Sequence, residues 1–275
     1  MNISPVSICI PVYNAANFIE ETIRAVLNQS FTNWELILVD NASKDKTGII
    51  LQRIVKELND PRIRLLKNTN TLPMADNWNV GLRQARGEFI KMICADDIPA
   101  KDCLERQVKV LREHPEVVVA SGARTIINSK GKILFKRSGI RKSGVYSGSE
   151  IIRRCIMAGT NIIGDPVNVM WRRSAMEQVG LFDPTVVYCT DVEYWLRLLS
   201  VGDLYYDADT IGFYRIHGNA AATSLANVTV QDFLHTAQLQ AERGSVTLSK
   251  TDLRIISMKS HIQSIVRQNL YRILG

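Results

Sequence analysis

Two adjacent acids, Asp96 and Asp97, are the residues of this chain whose type and spacing are best suited to chemistry. They follow a short apolar run that begins after Gly87, and Ile98-Pro99 follow them. Apolar runs bounded in this way are typical of buried strands. Carboxylates at the carboxyl end of such a strand lie where open α/β sheets bind ligands, and their hard oxygens suit Mg²⁺ or Mn²⁺. The pair alone is also compatible with a simple acidic turn.

The elements before the acids alternate between strands and helices. Their apolar spacing predicts strands at residues 6–12, 34–39, 63–66 and 88–93 and helices at residues 16–29, 46–58 and 74–86. This β-α-β-α-β-α-β order predicts an α/β fold with a Rossmann-like, mostly parallel sheet that has helices on both faces.

The regular alternation of strands and helices ends after Asp97. We predict helices at residues 101–114, 149–158, 173–180 and 190–200, strands at 117–120, 167–171, 204–206 and 211–214, and a hairpin turn at 129–132. Residues 138–149 hold several Gly, Ser and basic residues and are predicted to form a mobile loop. From residue 227 onward the pattern predicts helices only.

Polar residues end three of the predicted strands: Tyr13-Asn14, Asp40, and the Asp96-Asp97 pair. The carboxyl ends of parallel strands meet at one edge of a sheet, so these residues are expected to lie together. Each alone is compatible with a cap or a turn, whereas their agreement predicts a nucleotide site. No Gly-x-Gly-x-x-Gly motif follows the first strand, which favours a metal clamp for the phosphates over a glycine-rich turn.

The composition is that of a soluble globular protein. The 275 residues are 46% hydrophobic and 22% charged, and the formal net charge of +7 is compatible with anionic partners. No run approaches the ~20 apolar residues of a membrane helix, and the first residues do not resemble a signal peptide, so we expect a cytoplasmic protein. The five scattered cysteines are expected to be reduced and mainly buried.

Several motifs, in order, resemble the family 2 inverting glycosyltransferases of the GT-A fold, of the bacterial polysaccharide-biosynthesis type. They are VSICIPVYN (6–14), WELILVDNAS (34–43), GEFIKMICADD (87–97), DP (165–166), RR (172–173), VGLFD (179–183), TDVEYWLRL (190–198) and YRIH (214–217). The resemblance covers about residues 4–224. It implies a GT-A domain at 1–224, with a nucleotide-binding half at 1–97 and an acceptor half at 98–224, and then a helical extension at 225–275.

The resemblance also implies an activity. It is the Mn²⁺- or Mg²⁺-dependent transfer of a sugar from a nucleotide-diphosphate donor, a UDP- or dTDP-sugar, to a hydroxyl of a glycan or lipid-linked acceptor. We expect no nucleic-acid partner. Two alternatives stay open, a nucleotidyltransferase and a non-catalytic nucleotide-sugar-binding or membrane-docking protein, and the first of these usually needs a glycine-rich phosphate loop that this chain lacks.

Roles in donor and metal binding follow from the matched positions. Those implied to line the nucleotide-base pocket are Pro11, Tyr13 and Asn14. Asp40 would accept a hydrogen bond from the base. Asp96 and Asp97 match the latter part of the acidic metal motif and would hold metal and ribose, with Asp97 preferred for the metal. Cys94 stands where many members have an aspartate.

Further candidates lie elsewhere. Asn77 could reach the donor from its predicted helix, in which Trp78 stands where many family members have an arginine. The same residues are equally compatible with an ordinary helix start that carries a tryptophan in the core. His217, in Tyr-Arg-x-His, would bind the metal or the diphosphate. Arg215 is a second candidate for phosphate contact.

Asp191 is the implied general base. It stands at the start of a predicted amphipathic helix, where an acid is also a good cap, and spacing alone favours the cap. The resemblance favours the base, because Thr190-Asp191 replaces the Glu-Asp usual in the family. Glu193 is expected to be a solvated helix residue.

The C-terminal segment allows two interpretations. Apolar residues recur at helical spacing over residues 253–274, with basic residues between them. The helix would either pack on the domain or on a second copy in a homodimer, or lie on an anionic membrane at the inner face, near a lipid-linked acceptor. We favour packing.

Overall fold

Four parallel strands form the first half of a single sheet. The computed structural model describes residues 4–218 and 228–274 of the chain. Its first strands, β1 (Val6–Val12), β2 (Trp34–Asp40), β3 (Ile63–Lys67) and β4 (Phe89–Met92), lie in the order β3-β2-β1-β4 and pair in parallel. The connecting helices are α1 (Ile19–Leu27), α2 (Thr47–Leu58) and α3 (Met74–Gln84). The predicted α/β class is confirmed.

The second half of the sheet is mixed. Its elements are β5 (Ile98–Pro99), α4 (Cys103–Glu113), β6 (Val117–Asn128), β7 (Ile133–Arg137), β8 (Gly144–Tyr146), α5 (Gly148–Ala158), β9 (Met170–Arg172), α6 (Arg173–Val179), α7 (Thr190–Leu199) and β10 (Asp203–Ile216). The sheet continues from β4 in the order β9-β6-β10-β5. Strand β9 is antiparallel to both of its neighbours, whereas β6 and β10 are parallel.

Four predicted elements differ from the structure. The strands predicted at 204–206 and 211–214 are one strand, β10, whose register against β6 shifts near Asp207 and Thr210. The strand predicted at 167–171 begins as a 3-10 turn, Pro166–Asn168, because Asn168 Nδ2 donates to the carbonyls of Gly122 (3.1 Å) and Ala123 (2.9 Å). The predicted loop 138–149 contains β8, which pairs with β10.

Two apolar layers cover the faces of the sheet. An aromatic cluster in one layer lies against α7, with 4.1 Å between the ring centroids of Phe182 and Tyr194 and 5.2 Å between those of Trp171 and Trp195. Trp195 Nε1 also donates to the Gly164 carbonyl (3.0 Å). Because interior packing leaves few voids, this cluster fixes the position of α7 on the sheet.

Two helices follow the sheet, α8 (Thr229–Glu242) and α9 (Lys250–Leu274). Phe233, Ala237 and Ile256 from these helices join the core, so the inner faces of both pack on the domain. The predicted helical C-terminus is confirmed within residues 228–274. The proposed domain boundary at 224 falls outside the described residues, and the boundary at 97 stays a prediction.

All five thiols are free, and four of them are buried. The expectation of reduced, mainly buried cysteines is therefore confirmed. Among the described residues, every helix is too short or too polar to cross a bilayer.

Candidate functional site

Asp40 lies at the carboxyl edge where β1 and β2 meet. The register pairs Val12 with Asp40, and the Asn41 amide donates to the Val12 carbonyl at 2.8 Å. Asp40 is 2% exposed, and its Oδ1 accepts a hydrogen bond from the Ser43 amide at 3.0 Å. The polar turn after β2 therefore surrounds a buried carboxylate.

The three residues implied to line a base pocket lie at different depths. Tyr13 is 45% exposed, so its ring is open to a ligand. Asn14 has a left-handed backbone (φ 49°), and its Oδ1 accepts from the Lys44 amide at 2.8 Å, which joins the end of β1 to the turn after β2. Pro11 is buried within β1, where it pairs with Val39, and so lies inside the sheet and not at its carboxyl edge.

An amide cluster continues this edge to the third strand. Asn68 Nδ2 donates to the side-chain oxygens of Asn41 and Asn77, each at 2.9 Å. Asn41 also exchanges two hydrogen bonds with the backbone of Leu72. The structure thus places Asn77 beside the strand ends, 4% exposed, with its side-chain oxygen already bonded to Asn68. Asn41 and Asn68 were not predicted, although both directly follow strands, the signal that identified Asp40.

The acidic pair forms the second part of the site. One ligand atom each from Cys94, Asp96 and Asp97 lies within 4.8 Å of the others. Asp97 is 1% exposed, and its Oδ1 accepts from the Arg215 amide at 2.9 Å. His217 joins the group only through Asp96, with 2.8 Å between its Nε2 and Asp96 Oδ2. The predicted acids and the histidine are therefore brought together.

This group fits a hard divalent cation. Among the described residues, none donates a hydrogen bond to the buried Oδ2 of Asp97. Burial, followed by the charge of Asp96, raises the pKa of Asp97 well above its usual range. A cation would satisfy this oxygen and offset the charge of the pair. Burial, with the neighbouring acids, also raises the pKa of the Cys94 thiol, so it remains protonated and is a poor ligand for Mg²⁺ or Mn²⁺.

Arg215 lies behind the acids and is 2% exposed. Its Nε donates to the Asp96 carbonyl at 2.8 Å, and one terminal nitrogen donates to Glu21 at 2.6 Å. The other donates to the carbonyls of Asn128 (3.4 Å) and Ser129 (3.3 Å). The suggested phosphate contact would require Arg215 to leave these acceptors, whereas its present contacts position Asp96 and Asp97.

Asp191 occupies the first turn of α7, as predicted. Its Oδ1 accepts from the Val192 amide at 2.8 Å, and its Oδ2 accepts from Asn161 Nδ2 at 3.2 Å. Burial, followed by the charge of Asp165, raises the pKa of Asp191 to about 7. A carboxylate with a pKa near neutrality is suited to taking up a proton at physiological pH.

One cavity extends from Asp191 to Cys94, the thiol beside Asp96 and Asp97. It has a volume of about 410 Å³, and Cys94, Asp165 and Asp191 line it. Arg124, which is 5% exposed, forms an ion pair with Asp165 in the same wall. The roles of Asp165, Arg124 and Asn161 beside Asp191 were not predicted, because residues far apart in sequence meet here.

The C-terminal helices close the cavity and hold α7. Phe233 of α8 and Ser260 and Gln263 of α9 line its wall. Asp232 of α8 accepts three backbone hydrogen bonds, from the amides of residues 187–189 at 3.2, 2.7 and 2.6 Å. This carboxylate therefore fixes the turn that leads into the helix bearing Asp191.

The prediction for Glu193 is wrong. Its side chain is fully buried and pairs with Arg197 at 2.7 Å and with Arg243, which directly follows α8. Arg197 in turn donates to the carbonyls of Val179 and Leu181, each at 2.7 Å. A charge is tolerated here because two guanidinium groups neutralise it. The apolar periodicity of α7 does not indicate that these two guanidinium groups would contact Glu193.

Comparisons with known proteins agree with this geometry. Residues 7–180 match the sequence model of Glycosyl transferase family 2. TuaG of Bacillus subtilis, named for a glycosyltransferase role in teichuronic acid biosynthesis, is 30% identical over 80% of this chain and 82% of its own length. The uncharacterized glycosyltransferase RT0329 of Rickettsia typhi is 26% identical over 83% of this chain and 69% of its own.

Solved structures show the same fold. S. aureus TarS 1–349 in complex with UDP-GlcNAc aligns over 98% of this chain and 75% of its own, with a TM-score of 0.71 and 19% identity. The mannosyltransferase PcManGT of Pyrobaculum calidifontis, in complex with GDP-Man and Mn²⁺, aligns over 100% of this chain and 74% of its own, with a TM-score of 0.66 and 18% identity.

Replacing Glu193 with Gln tests the buried ion pairs. The change leaves the buried Arg197 without its counter-charge, so we expect the free energy of unfolding to fall by about 3 kcal/mol. Arg243 also loses one partner but keeps its pair with Asp183 at 3.5 Å. The matched control is Glu150→Gln, since Glu150 pairs with Arg154 at the same spacing on the exposed face of α5. That change should cost less than about 0.5 kcal/mol. Urea denaturation measures both, and equal losses would contradict the assignment.

Proposed function

Since the chain belongs to glycosyl transferase family 2, we propose that it is a metal-dependent, inverting glycosyltransferase. It would move a sugar from a nucleotide-diphosphate donor to a hydroxyl of a glycan or lipid-linked acceptor. The observation that supports this most directly is the cavity lined by both Asp191 and Cys94, whose thiol lies within 4.8 Å of a carboxylate oxygen of Asp96 and of Asp97. A base and a leaving-group site must face the same space for direct displacement.

The donor is proposed to be a UDP- or dTDP-sugar. Asp40 is a buried carboxylate at the strand edge and would accept a hydrogen bond from the imide N–H of uracil or thymine. The exposed ring of Tyr13 could stack on the base. The UDP-GlcNAc in the TarS complex supports the uridine choice, and the name of TuaG supports a role in polysaccharide biosynthesis. We propose that this role is carried out at the cytoplasmic face of the membrane.

The residues of the chain would divide the reaction between them. Asp191, ionised, would take the proton from the acceptor hydroxyl as that oxygen attacks the anomeric carbon from the face opposite the diphosphate. Asn161 would orient its carboxylate through the 3.2 Å hydrogen bond. The apolar cavity wall, with Trp78 and Phe233, would exclude water from the donor.

Asp96, Asp97 and His217 are proposed to hold a divalent cation, Mn²⁺ or Mg²⁺. When bound, it would supply Lewis-acid stabilisation for the charge that develops on the departing diphosphate. The Oδ2 of Asp97, which has no hydrogen-bond partner in the described part of the chain, supports this assignment, and the Mn²⁺ in the PcManGT complex agrees with it. Arg215 would hold the two acids in place from behind.

Replacing Asp97 with Asn tests the cation site. The amide keeps the shape of the side chain but removes its charge, so we expect Mn²⁺, in the presence of UDP, to bind at least about ten-fold more weakly. Asp102→Asn, a change at an exposed position of the α4 N-terminus, is the control and should leave binding unchanged. Isothermal titration calorimetry measures both. Unaltered Mn²⁺ affinity in Asp97→Asn would remove this residue from the site.

Replacing Asp191 with Asn tests the general base. The transfer rate should fall by about 10²–10⁴-fold, because no carboxylate remains to take the proton, while UDP-sugar affinity should stay within about two-fold. Asp209→Asn, at an exposed position on β10, is the control. Donor turnover and calorimetric binding measure the two effects. A wild-type chain that binds the donor without turnover would favour the alternative of a non-catalytic binder.

The pH profile tests the environment of Asp191. Its pKa is raised to about 7, so the ionised, active fraction grows as pH rises through that value. We expect kcat/KM to increase with pH and level off above about 7. Asp165→Asn removes a neighbouring negative charge and should move the inflection to lower pH. Rates measured between about pH 5.5 and about pH 8.5 would show this; identical inflections in both proteins would contradict the assignment.

A further inference from the structure

Helix α9 has an exposed apolar stripe. Met258, Ile262, Ile265 and Val266 are 58%, 51%, 46% and 48% exposed. Their spacing of four, three and one places them on one side of the helix, because side chains three and four apart share a face. Scattered exposed apolar residues need no explanation, but a contiguous stripe marks an interaction surface.

The stripe is not exposed through loose attachment of the helix. The opposite side of α9 is buried, with Ile256, Ser260 and Ser264 at 0%, 2% and 6% exposure. The helix crosses the end of α5 so closely that a Cβ added at Gly159 would lie 2.7 Å from the Ser260 amide nitrogen. One face therefore packs on the domain, and a second apolar face points outward.

Basic side chains border the stripe. Residues 250–269 contain four Lys or Arg and one acid, Asp252. By helical geometry Arg254 lies at one margin of the stripe and Lys259 at the other, and both are exposed, although Lys259 Nζ also donates to the Met157 carbonyl at 3.0 Å. Arg153 of the neighbouring α5 lies close enough to Asp252 for its charge to act there.

The charge pattern distinguishes between two possible partners of the stripe, a second copy of the chain and a membrane surface. A second copy, packed about a two-fold axis, would place the cations of one stripe against those of the other. A bilayer that contains anionic lipids accepts apolar side chains below its headgroups and attracts the bordering cations. We propose that the outward face of α9, defined by Met258, Ile262 and Ile265 with Arg254 and Lys259, docks on an anionic membrane surface.

Docking would bring the catalytic cavity to the headgroup layer. Helix α9 also lines that cavity with Ser260, Gln263 and Val266, and Val266 belongs to both the stripe and the wall. An acceptor attached to a lipid would then reach Asp191 without leaving the membrane. This step rests on the proposed function and refines it, because it selects a lipid-linked or membrane-attached acceptor over a free glycan.

Vesicle flotation tests the docking. The full-length protein is mixed with vesicles of phosphatidylcholine alone or of phosphatidylcholine with phosphatidylglycerol, and we expect it to float only with the second. Ile262→Ser/Ile265→Ser should abolish flotation. Arg254→Gln/Lys259→Gln should weaken partitioning roughly five-fold for each cation removed. The controls are Ile49→Ser on α2 and Lys109→Gln on α4, both strongly exposed and both expected to float normally.

The results of these experiments distinguish a membrane from a second copy of the chain as the partner of the stripe. Failure of the wild type to float with anionic vesicles would overturn the proposal. So would a concentration-dependent dimer in sedimentation velocity that the Ile262→Ser/Ile265→Ser variant abolishes, since the stripe would then bind a second copy. Hydrolysis of UDP-GlcNAc with Mn²⁺ in solution should be unchanged in both double variants. If the wild-type protein floats but does not hydrolyse UDP-GlcNAc, the result would count against the proposed donor chemistry and leave the docking proposal intact.

Discussion

The structure depends on keeping several carboxylates together and away from water at one edge of a sheet. Isolated buried charges cost several kcal/mol each, so such a group persists only with counter-charges or with raised pKa values. Both occur here. Arg215 and Arg124 are nearly fully buried beside the acids, while the pKa values of Asp97 and Asp191 are raised by burial. The same desolvation makes Asp97 suited to binding a cation and Asp191 suited to taking up a proton.

The parallel half of the sheet was predictable from sequence because three of its four strands, β1, β2 and β4, are buried on both faces. Largely apolar runs such as β1 and β2 have no competing periodicity, and a polar residue stands at the end of each or directly after it. The rule that ligands bind at the carboxyl ends of such strands then located Asp40, Asp96 and Asp97. Applied to β3, the same rule would also have located Asn68, which directly follows Lys67.

The second half was less predictable because its pairing is not sequential. Strand β9 inserts between β4 and β6 in the antiparallel sense, which no local pattern specifies. In β10 the polar stretch near Asp207 resembles a turn, yet the strand continues, since Asp207 pairs with Arg106 of α4. Likewise, the partner of Arg215, Glu21, is 194 residues away, so from sequence a buried arginine that forms an ion pair could be mistaken for a phosphate ligand.

The C-terminal helices belong physically to the site. Helix α7 is held first by the hydrogen bond from its own Trp195 to the Gly164 carbonyl. Asp232 of α8 binds the turn that leads into it, and Arg243 pairs with its buried Glu193. Two of these three contacts come from the segment after the sheet, and that segment also forms part of the cavity wall. These contacts make the position of Asp191 depend on α8 and Arg243 as well as on the sheet. In the proposed mechanism, a base on a helix held from both sides stays at a fixed distance from the acids, which direct displacement requires.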